Sequence, residues 1–290
     1  MSIASIQSKY PSAIWFDSNY GSTGTGTVSD PYNDFGTAVA DITSNDNAIA
    51  VKSGTHAVAH ADLTISSLGG TADTLTVVGE DTTAKITTNG TGTGASFEMS
   101  NLSLKLETIH IQHIGTGGDS GLIYMGTAAG SDLTVEGSII EITAASLGTG
   151  THQGMFKYGA AGVNAVTTLR DSVFITGGTL NQTVMFYITS STLDVQRCTI
   201  FTQTNSAATN LIISTAPSTS TWKNNIFVGN TGNEAFNLTF GTASNNCFYN
   251  SAVTSGKGGV VFADPQFVDS ASGDFRLRPT SPCIGAGTAS

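Results

Sequence analysis

Charge is scarce in this sequence, and most of it has one sign. Of 290 residues, 11 are Lys or Arg against 21 Asp or Glu, for a formal net charge of −10. The basic residues are scattered singly, so there is no basic patch to recruit nucleic acid or an anionic membrane surface, and neither is expected as a partner. Long apolar runs are missing too. Nothing approaches the roughly 18 consecutive apolar residues of a membrane span. The opening Met1-Ser2-Ile3-Ala4-Ser5-Ile6-Gln7-Ser8-Lys9-Tyr10 has neither the basic segment nor the apolar core of a secretion signal, so synthesis without export is the expectation. Cysteine is limited to Cys198, Cys247 and Cys283. The repeat described next puts the first two about two rungs, or roughly 9–10 Å, apart, beyond disulfide reach. All three read as small buried residues of a protein made in a reducing compartment.

What the chain has instead is Gly, Thr and Ser around short apolar runs, and these runs repeat. One phrase recurs as Leu106-Glu107-Thr108-Ile109-His110-Ile111, Val135-Glu136-Gly137-Ser138-Ile139-Ile140, Leu169-Arg170-Asp171-Ser172-Val173-Phe174, Val195-Gln196-Arg197-Cys198-Thr199-Ile200 and Trp222-Lys223-Asn224-Asn225-Ile226-Phe227, with a shorter copy at Asn245-Asn246-Cys247-Phe248. Each has a large apolar residue, two mostly polar ones, a small or amide residue, then an apolar pair. From Ile109 through Ser138, Ser172, Cys198 and Asn225 to Asn246 the steps are 29, 34, 26, 27 and 21 residues. A simpler series lies between the copies: Leu122-Ile123-Tyr124-Met125, Met155-Phe156-Lys157-Tyr158, Val184-Met185-Phe186-Tyr187, Leu211-Ile212-Ile213 and Ala235-Phe236-Asn237-Leu238. Two interleaved series drifting about one period indicate a solenoid whose coils differ in loop length. The runs are three to six residues long, rich in β-branched and aromatic residues, and too short for helices. The expected fold is all-β: a parallel β-helix solenoid forming one domain.

Residues 1–47 should hold a first strand at Ala13-Ile14-Trp15-Phe16-Asp17, a Gly/Thr/Ser loop, and a short capping helix. In that helix Phe35, Ala38, Val39 and Ile42 share one face behind Asn33 or Asp34 as N-cap. Residues 48–260 supply the rungs. Residues 261–290 hold three of the six prolines, which remove ladder donors and should form an irregular cap at the far end.

Three stretches carry a resemblance. Asp30-Pro31-Tyr32, the helix and Ala48-Ile49-Ala50-Val51-Lys52-Ser53-Gly54-Thr55 look like the opening of right-handed parallel β-helix proteins of the pectate-lyase-like superfamily. Asp264-Pro265-Gln266-Phe267-Val268-Asp269, Gly273-Asp274-Phe275-Arg276-Leu277 and Ser281-Pro282-Cys283-Ile284-Gly285-Ala286-Gly287-Thr288 resemble their closing segment, and Asn224-Asn225-Ile226-Phe227 is similar to their Asn-containing turn. The resemblance spans nearly the whole chain and specifies architecture, not chemistry.

Candidate chemistry lies on the outward columns. Glu107, Glu136, Arg170, Gln196 and Lys223 should stack rung on rung beside Thr108, Gly137, Asp171, Arg197 and Asn224. Glu107 and Glu136, about 5 Å apart, would make a retaining-glycosidase pair or half a Ca2+ site, with Arg170 as the base of a β-elimination. The plainer reading makes Glu136–Arg170 and Asp171–Arg197 exposed cross-rung ion pairs. The column of Ser138, Ser172, Cys198, Asn225 and Asn246 reads as an internal polar stack. His56, His60, His110, His113 and His152 lack metal-ligand spacing, so neither a metal nor another cofactor is expected. A strip of Ile139, Val173 and Ile226, with Ile175, Phe201 and Val228 beside it, should face outward as an apolar contact surface.

The resemblance extends to phage β-helix proteins. It implies a structural virion component (capsid decoration, head fibre or small tailspike-like protein) made in the host cytoplasm. Its partners would be other capsid or tail proteins, further copies of itself in a homotrimer, and host-surface polysaccharide. The competing expectation is a polysaccharide lyase or glycoside hydrolase.

Overall fold

A computed structural model describes residues 1–88, 97–114, 122–126, 131–143, 155–158, 165–177, 186–188, 192–202, 212–214, 219–229, 241–251 and 258–287. His152, the Gly-Thr run at 90–94 and the copy at 235–238 lie outside them.

The chain is a parallel β-helix with three strands to each full coil. Among the described residues the first sheet has nine strands, from Ile14–Phe16 to Thr242–Ser244. The second has nine, from Thr55–Val58 to Gly259–Val261, and the third has six, from Thr64–Ile65 to Ile212–Ser214. All pairings between coils are parallel. Through the middle coils the register is constant, with Leu106 on Val135, Leu169 on Val195 and Val195 on Trp222. Alternation does the rest. Leu104, Leu106, Leu133, Val135, Ile111, Ile140, Phe97 and Ile123 point inward and are at most 1 % exposed. The described copies of the simpler sequence series lie in the third sheet.

The recurrent phrase marks the bend from the first sheet to the second. The residue before its small or amide position takes the left-handed conformation in every copy: Thr108, Gly137, Asp171, Arg197, Asn224 and Asn245 all have φ between 51° and 58°. That conformation turns the chain within one residue and returns the next side chain to the interior. There the buried column forms the polar stack. Ile109 N–H donates to Ser138 Oγ (3.2 Å), Ser138 N–H to Ser172 Oγ (3.1 Å), Cys198 N–H to Asn225 Oδ1 (2.9 Å) and Asn225 N–H to Asn246 Oδ1 (3.0 Å). Asn225 Nδ2 also donates to the Val195 carbonyl (3.0 Å). Backbone groups that the bend takes out of the ladder are thus paired from the neighbouring coil.

Two helices serve the N-terminal end. α1 (Ile3–Lys9) was not foreseen, and α2 (Phe35–Ala40) is the predicted lid. Asp34 caps α2 by accepting from Thr37 N–H (2.7 Å), and Phe35 meets Phe16 edge to face at 5.2 Å, closing the core. α1 lies elsewhere, on the outer face of the first sheet. Ile6 and Tyr10 pack there with Trp15, Ala50 and Val78, the outward residues of the first three strands. Those strands read as unbroken apolar runs because both of their faces are covered.

The C-terminal segment departs from the expected end cap. Phe262 does stack on Phe248 at the end of the interior column (6.0 Å). The segment then turns back along the flank, and its hairpin, Phe267–Asp269 with Asp274–Leu277, rests on the outside of the second sheet. Phe201, an outward residue of that sheet, draws it there by edge contacts to Phe275 (5.1 Å) and Phe267 (6.3 Å).

Two substitutions test the bend. Asn225→Ala leaves buried N–H and C=O groups unpaired and should cost about 3 kcal/mol in urea unfolding, whereas Asn225→Ser, the residue this position holds at Ser138 and Ser172, should cost about 1 kcal/mol. Thr108 is the β-branched member of the left-handed column, so Thr108→Asn should stabilise by up to about 1 kcal/mol. A destabilised Thr108→Asn protein would show that the bend is not strained there.

Candidate functional site

The outward column of the first sheet has the expected register, Glu107 beside Glu136, Glu136 beside Arg170 and Arg170 beside Gln196. Its members differ in surroundings. Glu107 is not a surface carboxylate. It is 1 % exposed beneath α1, where Lys9 Nζ reaches both of its oxygens (2.8 Å each), Lys105 Nζ reaches Oε1 (2.7 Å) and Tyr10 Oη donates to Oε2 (2.9 Å). Burial pushes the Glu107 carboxyl up, but the hydrogen bonds from Lys105, Lys9 and Tyr10 outweigh it, and the net shift is downward. A retaining pair needs an ionised carboxylate that can reach the sugar, and Glu107, though held ionised, is buried with both oxygens taken by lysines. Both oxygens are occupied by cationic donors, which also removes it as half a Ca2+ site.

Glu136 is exposed. Arg170 does not pair with it as expected. Its guanidinium donates to Asp194 Oδ2 (2.6 Å), and Gln196 Nε2 donates to Asp194 Oδ1 (2.8 Å). Asp194 stands beside Thr168, diagonal to Arg170, and a long side chain reaches that neighbour easily. The other expected pair is present, with Arg197 gripping both oxygens of Asp171 (2.6 and 2.7 Å). A diagonal contact that column reading missed joins His110 Nε2 to Glu141 Oε2 (2.8 Å), and Gln112 Nε2 donates to the same oxygen (3.0 Å). Burial raises the Glu141 carboxyl, but the His110 hydrogen bond and charge outweigh it and lower it overall. His110 stands beside Ile139, two residues before Glu141; the signal was a diagonal spacing, not a column.

Of the remaining described histidines, His56 stands apart and His60 lies near His113. His56 is buried, with Nε2 on the Lys52 carbonyl (2.8 Å) and Nδ1 near Ser18. His113 is buried beside Thr88, and burial followed by the nearby His60 lowers its pKa. Among the described residues no group of three or more His, Cys, Asp or Glu converges on a metal-sized site.

The apolar strip is only partly open. Ile139, Val173 and Ile226 face outward on the second sheet and are half-buried. Ile175 and Val228 are 3 % and 5 % exposed, and Phe201 lies against the closing hairpin. The expectation of a free contact strip is corrected here: the chain's own C-terminal segment uses the Phe201 end. Between that segment and the second sheet runs an open groove of about 730 Å³, lined by Phe201, Tyr249, Asp264, Gln266, Arg278 and Thr280 among others. Tyr249 is 38 % exposed. Gln266 adopts φ 54°, and its side chain accepts from Thr280 Oγ1 (2.6 Å), which fixes one wall. An aromatic ring flanked by a carboxylate, an amide, a guanidinium and a hydroxyl suits a ligand with both apolar faces and many hydroxyls.

Comparison with protein-family models, with curated proteins and with solved structures finds no match to this chain.

The α1 clamp predicts a pH dependence. The folded pKa of Glu107 lies below its unfolded value, so its contribution is complete above about pH 4.5 and is lost as pH falls through the folded value. Tyr10 is raised from 10.0 to about 12, by burial first and then by Glu107, so its contribution is complete below pH 10 and is lost as pH rises towards 12. Calorimetric Tm should therefore fall at both extremes, and Glu107→Gln should flatten the acid limb. An unchanged acid limb in that variant would refute the clamp.

Proposed function

We propose that this chain is a structural component of a bacteriophage virion, a capsid decoration, head fibre or small spike of the pectate-lyase-like β-helix type, acting by display and binding and not by bond cleavage. The observation that carries the reading against an enzyme is the state of the groups best aligned for chemistry. Glu107 is sealed and neutralised by two lysines, Arg170 is committed to Asp194, and of the three only Glu136 is an exposed carboxylate. The virion assignment itself rests on the resemblance of the opening and closing segments. The half-buried Ile139 and Val173 offer a modest apolar contact for capsid or tail proteins or for copies in a trimer, while the Tyr249 groove is the seat proposed for a host-surface glycan. A net charge of −10 favours neutral sugars over polyanions at that seat.

The test is quantitative mass spectrometry of purified particles from the source. A fixed copy number per particle is expected, in the hundreds for a decoration protein and few for a spike; absence from particles would overturn the proposal. With a panel of surface polysaccharides, binding without chain shortening is expected, weakened about tenfold or more in Tyr249→Ala. Depolymerisation by the wild type that Glu136→Gln abolishes would establish the lyase or hydrolase reading instead.

A further inference from the structure

Two cysteines meet on the flank of the solenoid. Cys247 lies in the strand Asn246–Tyr249 in register with Ile226, so its side chain belongs to the outward column, yet it is 3 % exposed. Cys283, in the closing segment, stands over it with the two Sγ atoms 2.6 Å apart. The segment is held on both sides of this contact. Asn245 Nδ2 donates to the Ala286 carbonyl (3.1 Å), and Ser281 Oγ donates to the Pro265 carbonyl (2.5 Å). Gly287 approaches so closely that a Cβ there would stand 3.2 Å from Asn224 Oδ1. Two sulfurs at this separation are well inside the contact distance of unbonded thiols, and the hydrogen bonds on either side hold the segment against the sheet.

We propose that Cys247 and Cys283 form a disulfide when the protein meets a low-molecular-weight disulfide oxidant, and that this bond staples the C-terminal segment to the outside of the second sheet. Cys283 attacks a sulfur of the oxidant as the thiolate, forming a mixed disulfide and releasing one small thiol. Cys247 then displaces the second small thiol from Cys283 Sγ. The two cysteines lose two electrons and two protons in all, and the oxidant gains them as two thiols. The environments fit this order. Cys283 is half-buried and reachable, and its hydrogen bond with Cys247 lowers its pKa against the opposing effect of burial. The same hydrogen bond, followed by burial, raises that of Cys247, the resolving thiol. Cys198 takes no part. It sits in the interior column, 1 % exposed, and burial pushes its thiol up to about 12. The staple closes a loop across a sequence separation of 36 residues, which restricts the unfolded chain. The proposal does not depend on the virion reading.

The experiment treats the native full chain with oxidised glutathione, denatures it, alkylates free thiols with N-ethylmaleimide and measures the intact mass and the peptide map. One alkyl group, on Cys198, and a Cys247–Cys283 linked peptide are expected, with three alkyl groups after reduction. Reduction should lower Tm by about 5–10 °C in the wild type and leave Cys283→Ser unchanged, while Cys198→Ala should retain the link. Three alkylated thiols after oxidation, a stable glutathione adduct on Cys283, or a link through Cys198 would each overturn the proposal.

Discussion

Each coil depends on its neighbour most at the bend between the first and second sheets. Six successive copies of that bend use one left-handed residue followed by a buried one. The buried residue pairs with backbone of adjoining coils, as Asn225 does with Cys198, Val195 and Asn246. A backbone that turns this sharply loses ladder partners, and a buried orphan N–H costs about 1–3 kcal/mol, so from the second copy onward the buried position carries Ser, Cys or Asn, while Ile109 fills it in the first. The same geometry also explains how steps as unequal as 21 and 34 residues can stack. The bend and strands stay in constant register, and the difference in length falls on the connections beyond them.

Stacking leaves the outer faces to be dealt with, and the two ends of the chain do much of this. α1 covers the outer face of the first coils and brings Lys9 and Tyr10 to Glu107, at the boundary where the column turns from apolar to charged. The closing hairpin covers the flank of the last coils, brings Phe267 and Phe275 to Phe201, and sets Cys283 over Cys247. The uncovered part of the first sheet and the bend beyond it carry ion-paired polar residues, Arg170 with Asp194 on the sheet and Arg197 with Asp171 at the bend. Such exposed pairs are individually weak, and their value lies in fixing neighbouring coils against slippage.

The functional reading follows from the same distribution. Stacked side chains on a solenoid face can assemble an active site only if their charges remain available. Here the carboxylate nearest a second one is locked in its ionised form, and the guanidinium is held by a third acid. The groove beside Tyr249 has the opposite character, open and mixed in polarity, and it exists because the C-terminal segment folds back on the flank.

The fold itself could be read from the sequence because a β-helix is local and repetitive. Val135 and Leu169 alternate with Glu136 and Arg170 in every coil, and periodicity of that kind identifies strands and stacking order without knowledge of distant contacts. The lid helix was legible from the spacing of Phe35, Ala38, Val39 and Ile42, and the internal polar column from the recurring small residue. The site was less legible. Arg170–Asp194 and His110–Glu141 are diagonal contacts, visible only once the register and the reach of each side chain are fixed. The burial of Glu107 depended on α1, a helix of seven residues too short to form without the face it covers. The meeting of Cys247 with Cys283 depended on a tail returning across the flank. Sequence by itself determined the repeating unit, since alternation and bend chemistry act between residues a few positions apart. Tertiary structure alone decided which outward side chains stayed exposed, because that depends on where non-repeating ends pack, and packing against a distant face leaves no period in the chain.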